Sequence, residues 1–306
     1  DVFQGILMLL ALVAVPLLVI DQSGGAGPFA ASIDSFNPHL LNMFTSAEGE
    51  ALTLMTIVST MAWGLGYFGQ PHILARFKAI RSPEDTSRAA SIGVSWALLC
   101  YALAILVGLC GIAILDAPLE DPEKVFIALT SLIFHPLIAG VLLAAILAAI
   151  MSTVDSQLLV CSASLAEDLY PLVTRKTLGA EQRMRVARFA VVALALLATG
   201  LAMNPDSKVL DVVSYAWAGL GASLGPAILL SLYWRGMTAQ GALAGVLTGG
   251  CSVIVWSRLE GGLFDLYALL PGFVLALIAI VVVSLLSRKG LDSRVAEQFD
   301  RMLAQR

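Results

Sequence analysis

Long apolar stretches alternate with short polar ones along this chain of 306 residues. A helix that crosses a membrane needs about 20 consecutive apolar residues, because each residue adds about 1.5 Å and the hydrocarbon core is about 30 Å thick. Eight stretches are long enough and predict eight membrane spans. They cover about residues 2–20, 51–75, 91–115, 137–165, 187–203, 210–234, 239–257 and 267–287.

Composition supports this interpretation. Hydrophobic residues make up 58% of the chain, charged residues make up 13%, and the mean hydropathy is +0.88. Length alone would suggest about two soluble domains. These values instead predict an all-α integral membrane protein.

The second predicted span contains three glycines and a proline, the residues that weaken a helix most. They are Gly64, Gly66, Gly69 and Pro71. In lipid every backbone polar group needs a partner, so a broken helix is tolerated only where it lines a cavity or packs on protein. Interrupted spans of this kind are typical of the substrate sites of secondary transporters. Close helix packing through small residues is the alternative interpretation of the glycines.

Aromatic residues accompany this break. Trp63, Tyr67 and Pro71 recur at i, i+4 and i+8, which predicts that they share one helical face. An aromatic face beside a broken backbone suits a ligand. Tyr215 and Trp217 give the sixth span a similar face among glycines, and there we favour helix packing, with a gate-lining role as the alternative.

The fourth span carries hydroxyl side chains near its middle. Ala149, Ser152 and Thr153 lie at i, i+3 and i+4, so one helix face offers two hydroxyls and a backbone carbonyl. A hard cation such as sodium binds several oxygens of this kind. The alternative is that both hydroxyls only bond to a carbonyl of the preceding turn.

Asp155 is the only charged residue well inside any of the eight spans. A carboxylate at mid-membrane costs about 2.5–3.5 kcal/mol on insertion scales. We therefore expect it to face a partner or a watery cavity and to have a function. The alternative is a protonated or hydrogen-bonded aspartate in helix packing.

The distribution of basic residues predicts the orientation. If the end of the first span faces outside, fifteen of the 18 Lys and Arg residues fall inside. The three outside are Lys124, Lys208 and Arg258. Basic loops stay in the cytoplasm, so the C-terminus is predicted to be cytoplasmic. The tail 288–306 has apolar residues on one face, which predicts a helix lying on the inner membrane surface. They are Leu291, Val295, Phe299 and Leu303.

Enzyme chemistry is not indicated. No nucleophile, base and orienting group come together in the sequence. No basic aromatic stripe suggests nucleic acid, and no CxxC pair or histidine cluster suggests a metal centre. The sequence predicts neither an enzyme nor a nucleic-acid-binding protein.

Three stretches of this sequence resemble the sodium/solute symporter family, most closely its proline-transporting members. They are WGLGYFGQPHILARF at 63–77, MSTVDSQLLVCSASLAEDLY at 151–170 and VSYAWAGLG at 213–221. The resemblance extends over essentially the whole chain and implies a LeuT-like fold, two inverted five-helix repeats with flanking helices. The first span then matches the fifth core helix, the next five match the sixth to tenth, and the last two are flanking. Five helices would precede Asp1, and the chain would be a piece of a longer protein.

The resemblance also implies site residues. It places Ala149, through its carbonyl, with Ser152 and Thr153 in a sodium site, and Trp63, Tyr67 and Pro71 beside the substrate. Asp155 and Ser156, with Asp1, match a second cation site that some sugar and sialic-acid transporters of the family have.

The implied function is sodium-coupled symport of a small organic solute, L-proline above all, by alternating access. Sodium would be the transported coupling ion and no protein partner is specified. The protein would be a multi-pass component of a bacterial inner membrane, with a transporter domain at 1–287 and a cytoplasmic amphipathic tail at 288–306. Two alternatives stay open: the same mechanism with pantothenate, a sugar or another solute, and a symporter-like sensor module of a signalling protein.

Overall fold

Helices account for nearly all regular structure in the computed structural model, which describes residues 2–115, 117–175, 178–203, 208–287 and 293–304. No β-strand occurs among these residues. The α-helices are α1 (Val2–Gln22), α2 (Ala26–Phe36), α3 (Leu54–Ala62), α4 (Pro71–Lys78), α5 (Asp85–Ile114), α6 (Val125–Ile133), α7 (Pro136–Ala163), α8 (Tyr170–Thr174), α9 (Ala180–Ala202), α10 (Val209–Tyr233), α11 (Ala239–Trp256), α12 (Leu269–Leu286) and α13 (Ser293–Ala304).

Seven of the eight predicted spans are confirmed as helices long and apolar enough to cross a membrane. They are α1, α5, α7 continued through α8, α9, α10, α11 and α12. The second predicted span is not one continuous helix. It is divided between α3, a 3₁₀ helix at Trp63–Gly69, and α4.

The longest span changes its helix type before it ends. α7 begins at Pro136, where His135 Nδ1 accepts from the backbone N–H of Leu137 at 3.4 Å. After Ala163 the chain continues as a π-helix over Ser164–Leu169 and then as α8. A π-helical turn bends a helix because it inserts an extra residue into the turn.

The described chain forms two compact units. The first comprises residues 1–52 and 80–192, and the second comprises 53–79 and 193–306. In the first unit, α1, α2, α5 and α6 enclose a buried apolar core. Its members are Val15, Val19, Phe29, Ile33, Val107, Cys110 and Leu129. α7 packs on α1 through Ala11, Leu142 and Ala145.

Glycines allow very close helix packing in the second unit. Gly241, Gly245 and Gly249 recur every four residues along α11 and are buried. A methyl group at the first two would overlap Ser284 and Ile280 of α12, and at the third it would overlap the backbone of Ala222 on α10. This small-residue spacing is a common way for membrane helices to approach each other.

The second unit also includes the C-terminal helix α13. The Arg235 guanidinium, in the turn between α10 and α11, donates to both carboxylate oxygens of Asp300, at 2.9 and 2.8 Å. The hydrogen bond from Arg235 holds the pKa of this carboxyl below its ordinary value. Within the predicted tail, Leu291 and the side chain of Val295 lie outside the described residues.

Candidate functional site

The predicted break in the second span is confirmed at the glycine-rich residues. α3 ends at Ala62, and the chain tightens into a 3₁₀ helix from Trp63 to Gly69. Gln70 is extended, with φ −83° and ψ 112°. α4 then starts with Pro71 at a first-turn position, where a missing N–H costs nothing. The local sequence therefore explains both the end of one helix and the start of the next.

Four aromatic rings meet at this break. Trp63 stacks with Trp217 of α10, with ring centroids 5.5 Å apart and planes at 15°. Trp63 also stacks with Tyr267, with centroids 5.8 Å apart and planes at 13°. Tyr67 and Trp217 form a T-shaped pair, with ring centroids 4.9 Å apart and planes at 86°. Tyr67 is 39% exposed, so one side of this aromatic cluster is accessible.

The structure contradicts the shared helical face that the sequence predicted for Trp63, Tyr67 and Pro71. A 3₁₀ helix has about three residues per turn, so positions i and i+4 do not lie on one face. The prediction of a shared α-helical face for Trp63, Tyr67 and Pro71 is therefore wrong. Trp217 instead brings Trp63 and Tyr67 together, while Pro71 lies beyond Gln70 and is half-buried.

Hydrogen bonds hold the cluster. Trp217 Nε1 donates to the carbonyl of Trp63 at 2.9 Å, and Gln70 Nε2 donates to the carbonyl of Trp217 at 3.3 Å. The Tyr267 hydroxyl donates to the carbonyl of Ser214 at 2.7 Å. Packing, the favoured sequence interpretation for both residues, is thus confirmed for Trp217, whereas Tyr215 is exposed and its role stays a prediction. Tyr267 was not predicted, since a single tyrosine about 200 residues further along gives no local signal.

The hydroxyl side chains of Ser152, Thr153 and Ser156 lie close together on α7. Ser152 Oγ and Thr153 Oγ1 both donate to the carbonyl of Ala149, at 3.2 and 3.4 Å. Ser156 Oγ donates to the carbonyl of Ser152 at 2.9 Å. The three oxygens of Ala149, Ser152 and Thr153 lie on one face of α7, and the two hydroxyl bonds are those that the alternative interpretation predicts, so the sodium site stays a prediction. A hydroxyl that donates its proton keeps lone pairs, so these intrahelical bonds leave both oxygens able to accept.

Asp155 projects from the same helix and is exposed. Within the ranges that the structure describes, no side chain forms a hydrogen bond or an ion pair with its carboxylate. Ser156 beside it is half-buried. Asp1, the predicted third member of a second cation site, lies outside the described residues. The hydroxyl side chains of α7 and Asp155 belong to the first compact unit, whereas the aromatic cluster belongs to the second.

Comparison with known proteins extends these findings. A family model described as "Sodium:solute symporter family" matches residues 1–249. The chain is 45% identical to the "High-affinity proline transporter PutP" of Bacillus subtilis over an alignment of 304 positions that covers 98% of this chain and 63% of that protein. It is 44% identical to the "Sodium/proline symporter" of Escherichia coli over an alignment of 307 positions that covers 97% of this chain and 60% of that protein.

A further relative is named for its regulation. The "Osmoregulated proline transporter OpuE" of Bacillus subtilis is 43% identical over an alignment of 295 positions that covers 94% of this chain and 58% of that protein. The chain therefore spans about three fifths of the length of these relatives. The matched parts include both the broken span and α7.

Proposed function

Because this chain belongs to the sodium:solute symporter family, we propose that it forms part of a sodium-coupled symporter of L-proline. The chain is a multi-pass membrane protein, and its described part is all-helical with seven long apolar helices. One observation carries the choice of cargo: proteins named as proline transporters match 94–98% of the chain at 43–45% identity. All three are named as transporters and none as an enzyme.

The proposed fold is LeuT-like, with the broken span as one of its core helices. The 3₁₀ helix between α3 and α4 supports this assignment, because transporters of that type bind substrate at discontinuous helices near mid-membrane. The excess of basic residues in predicted inner loops supports a cytoplasmic C-terminus in a bacterial inner membrane.

Sodium, as coupling ion and cargo, would bind the hydroxyl side chains of α7. Ser152, Thr153 and the Ala149 carbonyl supply neutral oxygens on one face, the ligand type that a hard cation prefers. Sodium bound there would stabilise the outward-open state. The two hydroxyl oxygens can coordinate the ion through their lone pairs while their protons stay bonded to the Ala149 carbonyl, and a few neutral ligands hold the ion weakly enough for release on the other side.

Proline would contact the aromatic cluster. Its ring is compact and apolar, and the half-exposed Tyr67 with the stacked Trp63 offers a rigid apolar wall at a small entropic cost. Pro71, at the start of α4, would lie at the substrate's other border. Substrate binding would favour closure of the outer path, and rocking of one helix bundle would then expose the site inside.

The direct test uses the complete reading frame that contains this chain, purified into liposomes. An inward sodium gradient should drive uptake of radiolabelled L-proline, and an equal potassium gradient should not. Unlabelled proline should compete, whereas pantothenate and glucose should not. Uptake that does not depend on sodium would contradict the proposed coupling. Competition by another solute but not by unlabelled proline would contradict the proposed cargo.

Tyr67→Ala should weaken proline binding about tenfold. Loss of an aromatic wall is worth about 1.4 kcal/mol, which corresponds to that factor. Equilibrium binding of radiolabelled proline to membranes at saturating sodium measures this affinity. Tyr101→Ala, an exposed tyrosine of α5, is the control and should bind like the parent. Equal affinity in Tyr67→Ala and parent would remove Tyr67 from the substrate site.

Asp155→Asn should lower coupled transport without preventing insertion. A carboxylate exposed on a membrane helix needs a cation or water as its partner, and the amide removes the charge but keeps the shape. Initial proline uptake at several sodium concentrations tests this. Parent-like uptake together with parent-like sodium dependence would assign Asp155 a structural role.

A further inference from the structure

Trp217 contacts the broken span at both ends of its 3₁₀ helix. At the first residue, the Trp217 indole N–H donates to the carbonyl of Trp63 at 2.9 Å. Just after the last residue, the side-chain amide of Gln70 donates to the backbone carbonyl of Trp217 at 3.3 Å. Gln70 is only 2% exposed, so this bond is shielded from water. A single position on α10 therefore satisfies polar groups on both sides of the break.

These bonds matter because a broken helix leaves backbone groups without their regular partners. In a membrane environment water does not replace those partners, and each unsatisfied group is costly. The Trp63 carbonyl and the buried side-chain amide of Gln70 are each bonded to Trp217 of the neighbouring helix α10. The shape of the break thus depends on α10 as well as on its own glycines.

The ring of Trp217 adds a second constraint. It stacks on Trp63 and meets Tyr67 edge-on, so the two aromatic residues of the proposed substrate wall are both oriented by one indole. Gly66 makes this arrangement possible. A methyl group there would overlap the indole nitrogen, whereas one at Gly64 would meet no atom within 4 Å.

We propose that Trp217 is a positioning residue for solute binding: its indole N–H fixes the 3₁₀ helix in the shape that presents Trp63 and Tyr67 to the solute. The proposal rests on the proposed function for its effect on transport. Without the N–H bond, the break samples other shapes, and the apparent affinity falls with the fraction of molecules that are competent to bind. Sodium binding at α7 does not involve these groups.

Two substitutions of Trp217 distinguish the effect of the hydrogen bond from the effect of ring size. Trp217→Phe keeps an aromatic ring and removes the donor. Replacement of Trp217 with benzothienylalanine, in which sulfur takes the place of the N–H, keeps the ring size as well. Trp256→Phe is the matched control, because the Trp256 indole also donates to a backbone carbonyl, that of Leu266 at 3.1 Å. All variants are made in the complete reading frame and compared at equal amounts of folded protein.

Both Trp217 variants should raise the half-saturating proline concentration about 3- to 10-fold, the factor expected for one hydrogen bond. The half-saturating sodium concentration at saturating proline and the maximal uptake rate should change less than about twofold. Trp256→Phe should resemble the parent. Parent-like proline affinity in the benzothienylalanine variant would overturn the proposal, since the N–H would then have no positioning role.

Hydrogen exchange tests the same proposal without any solute. Backbone amides of Trp63–Gly69 should exchange about 3- to 10-fold faster in both Trp217 variants than in Trp256→Phe, because the break opens more often. Unchanged exchange there would overturn the proposal whether or not proline is the cargo. Faster exchange in a protein whose parent form takes up no proline would support the positioning role and refute the proposed function alone.

Discussion

Gly69→Ala is expected to reduce proline uptake by at least about tenfold and to lower the thermal stability of the purified protein. An added methyl group would overlap the carbonyl oxygen of Leu220 and lie 2.7 Å from the Cα of Gly221. Both atoms belong to the backbone of α10 and cannot rotate away. Overpacking of this kind costs about 1–3 kcal/mol, and α10 would have to move away from the 3₁₀ helix.

Gly64→Ala is the matched control for this prediction. It lies in the same 3₁₀ helix, and its added methyl group would meet no atom within 4 Å. Both substitutions raise helix propensity by about 1 kcal/mol, so the difference between them isolates the close approach to α10. Uptake and melting temperature should stay near the parent values. Equal behaviour of the two variants would mean that close packing at Gly69 does not shape the site.

Helix length and position were largely predictable, because in a membrane protein they follow from apolar run length. The ends were less predictable where a helix continues into polar residues. The third span was expected from about residue 91, yet α5 starts at Asp85. Ser82, in the turn before the helix, accepts from the Asp85 backbone N–H at 3.3 Å and donates to its carboxylate at 3.1 Å, so the helix begins outside the apolar stretch. Hydropathy does not detect such a turn.

The oxygens of α7 and the aromatic cluster also differed in how far the sequence predicted them. The oxygens of Ala149, Ser152 and Thr153 come from one regular helix, so their spacing alone predicted the shared face. The aromatic cluster depends on a change of helix type and on contacts from residues more than 150 positions away. The sequence indicated the break from its glycines, but it could not show that Trp217 and Tyr267 would stack on Trp63.

Thr153→Ala is expected to raise the sodium concentration for half-maximal proline uptake by at least about tenfold. The change removes one of two hydroxyl oxygens beside the Ala149 carbonyl. Interactions of neutral groups with a charge are worth about 1.5–3 kcal/mol, and 1.4 kcal/mol is already a factor of ten. Proline affinity at saturating sodium should change far less, because the aromatic cluster does not include this hydroxyl. Initial uptake rates over a range of sodium concentrations measure both effects.

Two further variants decide whether the shift in sodium dependence comes from the lost hydroxyl of Thr153 or from loosening of the helix α7. Thr153→Ser keeps the oxygen and should retain most of the sodium affinity. Ser162→Ala removes another hydroxyl of α7, one that donates to the carbonyl of Leu159 at 3.0 Å and is buried, and it should leave the sodium dependence unchanged. If Thr153→Ala and Ser162→Ala shift the sodium dependence equally, the effect comes from loosening α7. If neither shifts it, Thr153 does not bind sodium.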